Sequence, residues 1–339
     1  MTINYPSVLD RDLQELRREL KATRKAAFAA GTHKNHLTQW RTYFFFCLYF
    51  FLDPLPASVD TVCLFCQFLS RSMTPASVRN YLSGVKFLHV ALGHEFPSLK
   101  EFAIRVTLRG IDRIALHCPV RAPPVTPHIL FKLVQHSFSP DSSPEEITFS
   151  CAFLFAFFLL ARISNIVPAS ARSFDSRKHL CRGDIVSAPH GITVTFKWSK
   201  TNQTGSRHLQ LPLVEIPNSP LCPVTMFQRM CALIPARSSM PAFVLPSPDG
   251  SLSPITKSVF VRVFRRRLSL AGVSLAHTYR GHSFRRGGAN WAFQCGVPGE
   301  LIQVFGDWSS EAYKSYLEFA LPAKLRVARA VSHALTHPH

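Results

Sequence analysis

Acidic residues are scarce in this chain. Only 20 Asp and Glu stand against 39 Lys and Arg in 339 residues, a formal charge of +19. That imbalance points to a polyanionic partner, whose phosphates Lys and Arg would neutralise in a steeply salt-dependent way. A merely basic soluble protein is the plainer alternative. Long apolar runs are also missing. Residues 43–52 and 147–161 are both shorter than the roughly 18–20 residues a bilayer helix needs, and the second ends on Arg162. They read as core helices, with no membrane partner expected. Nor is there a paired cysteine framework. The nine cysteines are odd in number and scattered behind an N-terminus without a secretory signal. This is the pattern of free thiols in a reducing compartment, not of a secreted protein. Cys63-Leu64-Phe65-Cys66 has metal-like spacing, but no second pair completes a zinc site, so it reads as helical core. Internal repeats and low-complexity tracts are absent. What remains is a 47% hydrophobic chain, long enough for two domains and too apolar for wholesale disorder.

Residues 10–30 read as a charged helix with a narrow stripe of Leu13, Leu16 and Leu20. Gly31-Thr32 breaks it, and Thr32 is the expected N-cap of a helix running through Trp40 to Phe51 and ending at Pro54 and Pro56. Ser58 opens the next helix, to Phe68. Thr74-Pro75 is a cap followed by proline at the first helical position. The helix behind it sets Val78, Tyr81, Leu82, Val85 and Leu88 against Arg79, Asn80 and Lys86, and a fourth helix is expected over 99–114. Residues 31–117 thus form a small helical bundle with basic outer faces, preceded by a helical extension over 1–30. Residues 118–127 hold four prolines in ten and read as a semi-extended linker. Thr126-Pro127 starts a second domain, 128–320, in which 147–166 is a buried helix. Ile192, Val194, Phe196 and Trp198 alternate with Thr193, Thr195, Lys197 and Ser199, the period of a strand. After a polar turn over 201–206 the strand returns through 208–213, placing Lys200 at a hairpin tip. Helices resume near Pro223, and 321–339 is a last helix and tail with Leu321, Leu325, Ala328 and Leu335 on one side.

The chemistry concentrates near the end of the chain. His282 and Arg285 are three apart, so a helix puts them on one face; their segment carries no acid, which favours an anionic ligand over a metal. Trp308 follows in Gly306-Asp307-Trp308, and Tyr316 eight residues later. Upstream cations are Arg162, directly after an apolar helix, and Lys200. A buried arginine is costly without an anionic partner. Tyrosine is a weak nucleophile until a base takes its proton. An arginine fork suits the non-bridging oxygens of a phosphoryl-transfer transition state. Four cationic or proton-carrying groups around a phosphate, with a tyrosine to attack it, make a phosphoryl-transfer site for DNA. Lys197 competes with Lys200, and Tyr313 lies one turn before Tyr316 on much the same face.

This set resembles the tyrosine recombinase (phage integrase) family. The resemblance runs over roughly residues 30–320 through Leu160-Ala161-Arg162-Ile163-Ser164, a hairpin lysine at Lys200, His282-x-x-Arg285 and Gly306-Asp307-Trp308, then Tyr316. Asn165 stands where the family often has Glu or Asp, which removes or replaces a carboxylate that helps orient neighbouring groups. The Gly-Asp-Trp-Ser-Ser and Ser-Lys-Thr-Asn-Gln contexts are most similar to recombinases of eukaryotic DIRS-, Ngaro- and Crypton-type mobile elements. The resemblance implies a mainly α fold with a small antiparallel β-sheet, built as a C-shaped clamp from a helical, SAM-like core-binding domain and a catalytic domain. It implies that Arg162 and Arg285 clamp the scissile phosphate, His282 assists proton transfer, Lys200 protonates the leaving 5′ oxygen, and Trp308 buttresses the phosphate. Tyr316 would form the 3′-phosphotyrosine, or Tyr313 if the register is one turn off. Neither cofactor nor metal is implied. The expected partner is double-stranded DNA, gripped in part by Lys34, Arg41, Arg79, Asn80 and Lys86, with self-assembly on it from dimer to tetramer. The last helix docks on a neighbouring protomer or on its own domain. Arg265-Arg266-Arg267 reads either as a DNA contact or as a nuclear-import patch. The location is nuclear for a eukaryotic mobile-element protein and cytoplasmic otherwise. A DNA-binding protein that no longer cuts and a topoisomerase-like enzyme are the rival functions.

Overall fold

A computed structural model describes residues 5–115, 121–199, 202 and 207–317, together with Leu325, Ala328, Arg329 and Ser332. The chain divides into two compact units, 1–120 and 121–339. Most of it is helical, with small antiparallel sheets. Among the described residues no helix is long and apolar enough to cross a membrane. The apolar run at 43–52 lies at the end of α2, and that at 147–161 in and just after α7.

The first unit holds α1 (Tyr5–Ala26), α2 (Ala30–Tyr49), α3 (Val59–Ser70), α4 (Pro75–Ala91) and α5 (Phe102–Ile114). Ser58 and Thr74 cap α3 and α4 as expected, their hydroxyls accepting from Thr61 N (3.0 Å) and Ser77 N (3.2 Å). Thr32 does not cap α2. The helix starts three residues earlier, with Ala29 at the cap position and no side-chain cap, so Thr32 lies in the first turn. The core gathers Tyr43, Phe46, Phe65, Leu69, Val78, Leu82 and Ile104, with Cys66 inside it and Cys63 packed against it. Trp40 Nε1 donates to Gly84 O (2.8 Å) and Gln39 Nε2 to Asn80 O (3.1 Å), fixing α2 on α4.

The second unit contains α6 (Pro127–Val134), α7 (Pro144–Phe158), α8 (Ile163–Ile166), β1 (Ile185–Ala188), β2 (Gly191–Phe196), β3 (Leu209–Val214), α9 (Pro223–Leu233), β4 (Val244–Pro246), β5 (Leu252–Pro254), α10 (Lys257–Leu270), α11 (His282–Gln294) and α12 (Gly299–Phe305). Strands β1, β2 and β3 pair antiparallel in sequence order, with Ile185 opposite Val194 and Val194 opposite Leu211. β4 and β5 form a separate hairpin. α7 is the central helix. A capping box of Ser143 and Glu146 starts it, and every residue from Ile147 to Phe157 is buried. Rings of Phe153, Phe260, Phe264 and Phe284 pack there at centroid separations from 4.5 Å (Phe264 to Phe284) to 5.8 Å (Phe153 to Phe264).

Two expected stretches differ. The helix expected over 147–166 breaks after Phe158: Leu160 adopts a left-handed conformation (φ 47°), and α8 restarts the helix with Arg162 at its cap. Residues 121–126 of the expected linker pack on α11, where Val125 N donates to Ser283 O at 2.9 Å. Adjacent glycines on α11 allow both neighbours to come close. A Cβ on Gly287 would stand 1.9 Å from Val125 O, and one on Gly288 2.2 Å from Phe157 O. Backbone cannot yield as a side chain can. Gly288→Ala is therefore expected to destabilise the fold by about 1–3 kcal/mol, the usual range for overpacking. At Gly110 in α5 a Cβ would meet nothing. Gly110→Ala should instead raise stability by about 0.5–1 kcal/mol. Denaturant titration of the two variants reads the difference in sign.

Candidate active site

The site is built on the C-terminal ends of two helices. At the end of α7, Leu160 N donates to Phe157 O (3.2 Å) and Ala161 N to Ala156 O (3.3 Å), a Schellman cap with leucine where glycine is usual. The leucine is kept because its side chain is buried with Ala289, Ile302, Trp308 and Tyr313. At the end of α12 the same cap recurs: Asp307 N donates to Val304 O (3.1 Å) and Trp308 N to Gln303 O (3.1 Å), with Asp307 left-handed at φ 55°. Gly306 precedes it because a Cβ there would lie 1.7 Å from Trp308 Cζ3, inside the ring.

Arg285, in the first turn of α11, reaches both helix ends. Its guanidinium donates to Leu160 O and to Gly306 O (2.7 Å), and stacks 3.6 Å from the centre of the Trp308 ring. Only 3% of the residue is exposed. Burial, and then Arg162, pull its pKa down to about 9, while Tyr316 and Asp307 oppose them. It is still a cation at neutral pH. The negative ends of two helix dipoles face it, worth up to about 2 kcal/mol in partly buried geometry. Arg162 is half-buried, and its side chain has neither a hydrogen bond nor an ion pair among the described residues. Arg162 and Arg285 are close enough to repel, so an anion between them would relieve both.

Tyr316 follows a short 3-10 helix, Glu311–Ser315, and its ring lies 5.7 Å from that of Trp308. It opens on a cavity of about 280 Å³ lined by Arg121, Ala122, Arg280, His282, Arg286 and Ser315. Among the described residues the walls carry three arginines and a histidine and no acid. Arg121 donates to Ser315 O (2.9 Å) and Arg286 to Ala122 O (3.2 Å), which draws the 121–126 segment and the 3-10 helix around the tyrosine. Tyr313 is different: it is buried, its hydroxyl lies under Gly299, and its ring is 6.3 Å from Trp308. The structure therefore brings Arg162, His282, Arg285, Trp308 and Tyr316 together, with His282 exposed on the cavity side and Arg285 buried on the Trp308 side. Sequence reasoning passed over Arg121, Arg280 and Arg286. Arg280 and Arg286 were in plain view beside His282 and Arg285, whereas Arg121 was concealed in the proline-rich segment.

Lys200 lies outside the described residues. Its neighbours are anchored from the α12 side: Ser199 Oγ donates to Asp307 Oδ2 (2.8 Å), and Arg207 pairs with Asp307 Oδ1. Ser199 and Asn202 also exchange backbone hydrogen bonds, at 3.1 and 3.2 Å. The rival Lys197 is held by Asp184 (2.7 Å) and Ser176 O (2.6 Å). Asn165, at the position where the resembled family often has a carboxylate, is buried with its Oδ1 unpartnered among the described residues.

In the first unit Lys34, Arg41, Asn80 and Lys86 are exposed on α2 and α4, whereas Arg79 is engaged by Asp112 (2.8 and 2.5 Å). The triplet on α10 is split. Arg266 is exposed, Arg265 donates to Tyr279 O (2.9 Å), and Arg267 donates to Leu133 O, Ser150 Oγ and Glu146 O. Burial lowers the Arg267 pKa to about 10. Of the last helix, Leu321 and Leu335 lie outside the described residues, while Leu325 and Ala328 are helical and exposed.

No family model matches the chain, and no curated protein matches it in sequence. Its fold does match solved structures. A lambda integrase (75–356) dimer bound to a COC′ core site is 16% identical, over 90% of this chain and 95% of that one, with a TM-score of 0.57. The Tn1549 transposon integrase (82–397) in complex with circular intermediate DNA is 15% identical, over 94% and 97%, with a TM-score of 0.55. XerH recombinase in its post-cleavage complex with a palindromic difH substrate is 15% identical, over 80% and 69%, with a TM-score of 0.54. The chain shares the fold of these two integrases and of XerH recombinase.

Asp307 ties Ser199 and Arg207 to the end of α12, so Asp307→Ala is expected to raise amide exchange at 197–199 and 207–209 by tenfold or more, about 1.4 kcal/mol of local opening. Exchange in α3 and α4 should be unchanged. A uniform increase over the whole chain would mean that Asp307 acts on global stability instead.

Proposed function

We propose that this chain is a site-specific DNA recombinase that cuts and rejoins duplex DNA through Tyr316. One observation carries the reading: Tyr316 opens on a cavity whose walls, among the described residues, carry Arg121, Arg280, Arg286 and His282 and no acid, with Arg162 and Arg285 in electrostatic reach of each other. The fold shared with recombinases bound to DNA supports it. Tyr316 Oη gives up its proton to His282 or to water and attacks phosphorus. The P–O5′ bond breaks, Lys200 protonates the departing 5′ oxygen, and a 3′-phosphotyrosine remains. A 5′ hydroxyl from the recombining strand then reverses the step, regenerating the phosphodiester and the free tyrosine. The bond is exchanged rather than hydrolysed, so neither nucleotide triphosphate nor metal is consumed. Arg162 and Arg285 supply fixed positive charge where the transition state gathers negative charge, and Trp308 holds Arg285 in place. Removing one such donor from a preorganised site costs about 10²–10³ in rate.

The biological setting we favour is mobilisation of a DIRS-, Ngaro- or Crypton-like element in a nucleus, by protomers assembled on duplex DNA. Lys34, Arg41, Asn80 and Lys86 would contact its backbone; Arg79 would do so while keeping Asp112 as its anchor.

A nicked duplex carrying the element's ends traps the covalent step. Wild type and Tyr313→Phe are expected to give an adduct that survives SDS but not protease. Tyr316→Phe should give none, and Arg162→Ala should form it about 10²–10³-fold more slowly. Loss of the adduct with Tyr313→Phe alone would move the nucleophile. Salt-sensitive binding without any adduct would leave a DNA-binding protein. Relaxation of supercoils without sequence preference would indicate a topoisomerase.

A further inference from the structure

Helix α1 runs for 22 residues, and its described side chains, Asp10 to Ala26, are all exposed. Leu13, Leu16 and Leu20 are 45%, 60% and 48% exposed although they share one face. A helix with no packing of its own is marginal in water, so this stripe calls for a partner. The spacing names the geometry. Leu13, Leu16 and Leu20 fall at positions a, d and a of a heptad, and Leu9 stands at the preceding d in sequence. Asp12 and Glu19 then fall at g, and Asp10, Arg17 and Arg24 at e, while the outer f positions are all basic: Arg11, Arg18 and Lys25.

Those flanking charges choose the occupant and its direction. In a parallel pair each g residue faces the e residue five positions on in the other helix. Asp12 then meets Arg17 of the second copy, and Glu19 meets Arg24, with both pairs repeated by symmetry. In an antiparallel pair g faces g, which sets Asp12 against Glu19, acid on acid. We propose that α1 pairs with α1 of a second copy as a parallel, two-stranded coiled coil, joining two chains through a surface outside the candidate active site. This goes beyond the recombinase reading and does not rest on it.

Sedimentation equilibrium of the full chain without DNA, over a hundredfold range of concentration, tests the pairing. Wild type should pass from monomer to dimer. Leu16→Asp, at an exposed position, should remain monomeric with an unchanged circular-dichroism melting point for the rest of the fold. Glu19→Arg should need at least tenfold more protein to dimerise, and Glu19→Arg with Arg24→Glu should restore wild-type behaviour. A wild type that stays monomeric, or a dimer indifferent to Leu16→Asp, overturns the proposal. Tighter dimerisation by Glu19→Arg, or no rescue by the double change, overturns the parallel direction. Because no DNA is present, failure of the cleavage reading leaves all these outcomes interpretable.

Discussion

The position of one guanidinium organises the candidate site. Arg285 is almost completely buried and, among the described residues, forms no ion pair, and removing such a charge from water costs several kcal/mol unless its surroundings compensate. The compensation comes from the backbone. Two helices end in left-handed caps, at Leu160 and Asp307, and the carbonyls of Leu160 and Gly306 accept from Arg285. Trp308 covers its face. Because the arginine needs both helix ends at once, it fixes α7, α11 and α12 in one arrangement. Arg162 then falls two residues past one cap and Trp308 directly after the other.

This arrangement satisfies the charge in hydrogen bonds while leaving it uncancelled in the field. A carboxylate in place of the carbonyls would neutralise Arg285 and leave little attraction for a phosphate. Carbonyl dipoles hold the guanidinium without removing its net charge, and Arg162 nearby adds a second. The acid that is present, Asp307, is turned instead to Ser199 and Arg207, so that the segment on either side of Lys200 is joined to the same helix end as Trp308. Around Tyr316 the arginines of the cavity are tethered by backbone oxygens too, Arg121 by Ser315 and Arg286 by Ala122. These carbonyls hold Arg121 and Arg286 in the cavity wall without cancelling their charge.

Local signals were the most legible part of the sequence. Ser58, Thr74 and Thr126 each announce a helix whose hydroxyl cap is present, and the alternation over residues 192–196 is a strand. These read correctly because the determinants lie within four residues. The break at Leu160 was hidden for the opposite reason. A leucine occupies the left-handed position, and its side chain is retained for contacts with Ala289, Ile302 and Trp308, far away in sequence. β1, β4 and β5 were also passed over; at three or four residues each they carry too little alternation to stand out. Thr32 has the chemistry of a cap, but Ala29 holds the cap position and Phe28 packs its ring on Phe87, which fixes where α2 begins. In the site, the motif residues were visible as types and spacings. What spacing could not show is that His282 and Arg285, on one turn of one helix, differ so widely in burial, or that Arg121 joins them.

The account turns on Tyr316 being the atom donor to phosphorus, and the sequence permits a direct reading. Lys314 separates the two tyrosines, so trypsin leaves Tyr313 and Tyr316 in different peptides, the second spanning 315–324. Wild-type protein would be incubated with a nicked duplex library of randomised sequence, the adduct digested with trypsin and nuclease, and the peptides sequenced by mass spectrometry. A nucleotide remnant on the 315–324 peptide, carried by Tyr316, is the predicted result. A remnant on the peptide that contains Tyr313, or DNA-bound protein in which neither tyrosine is modified, would contradict it.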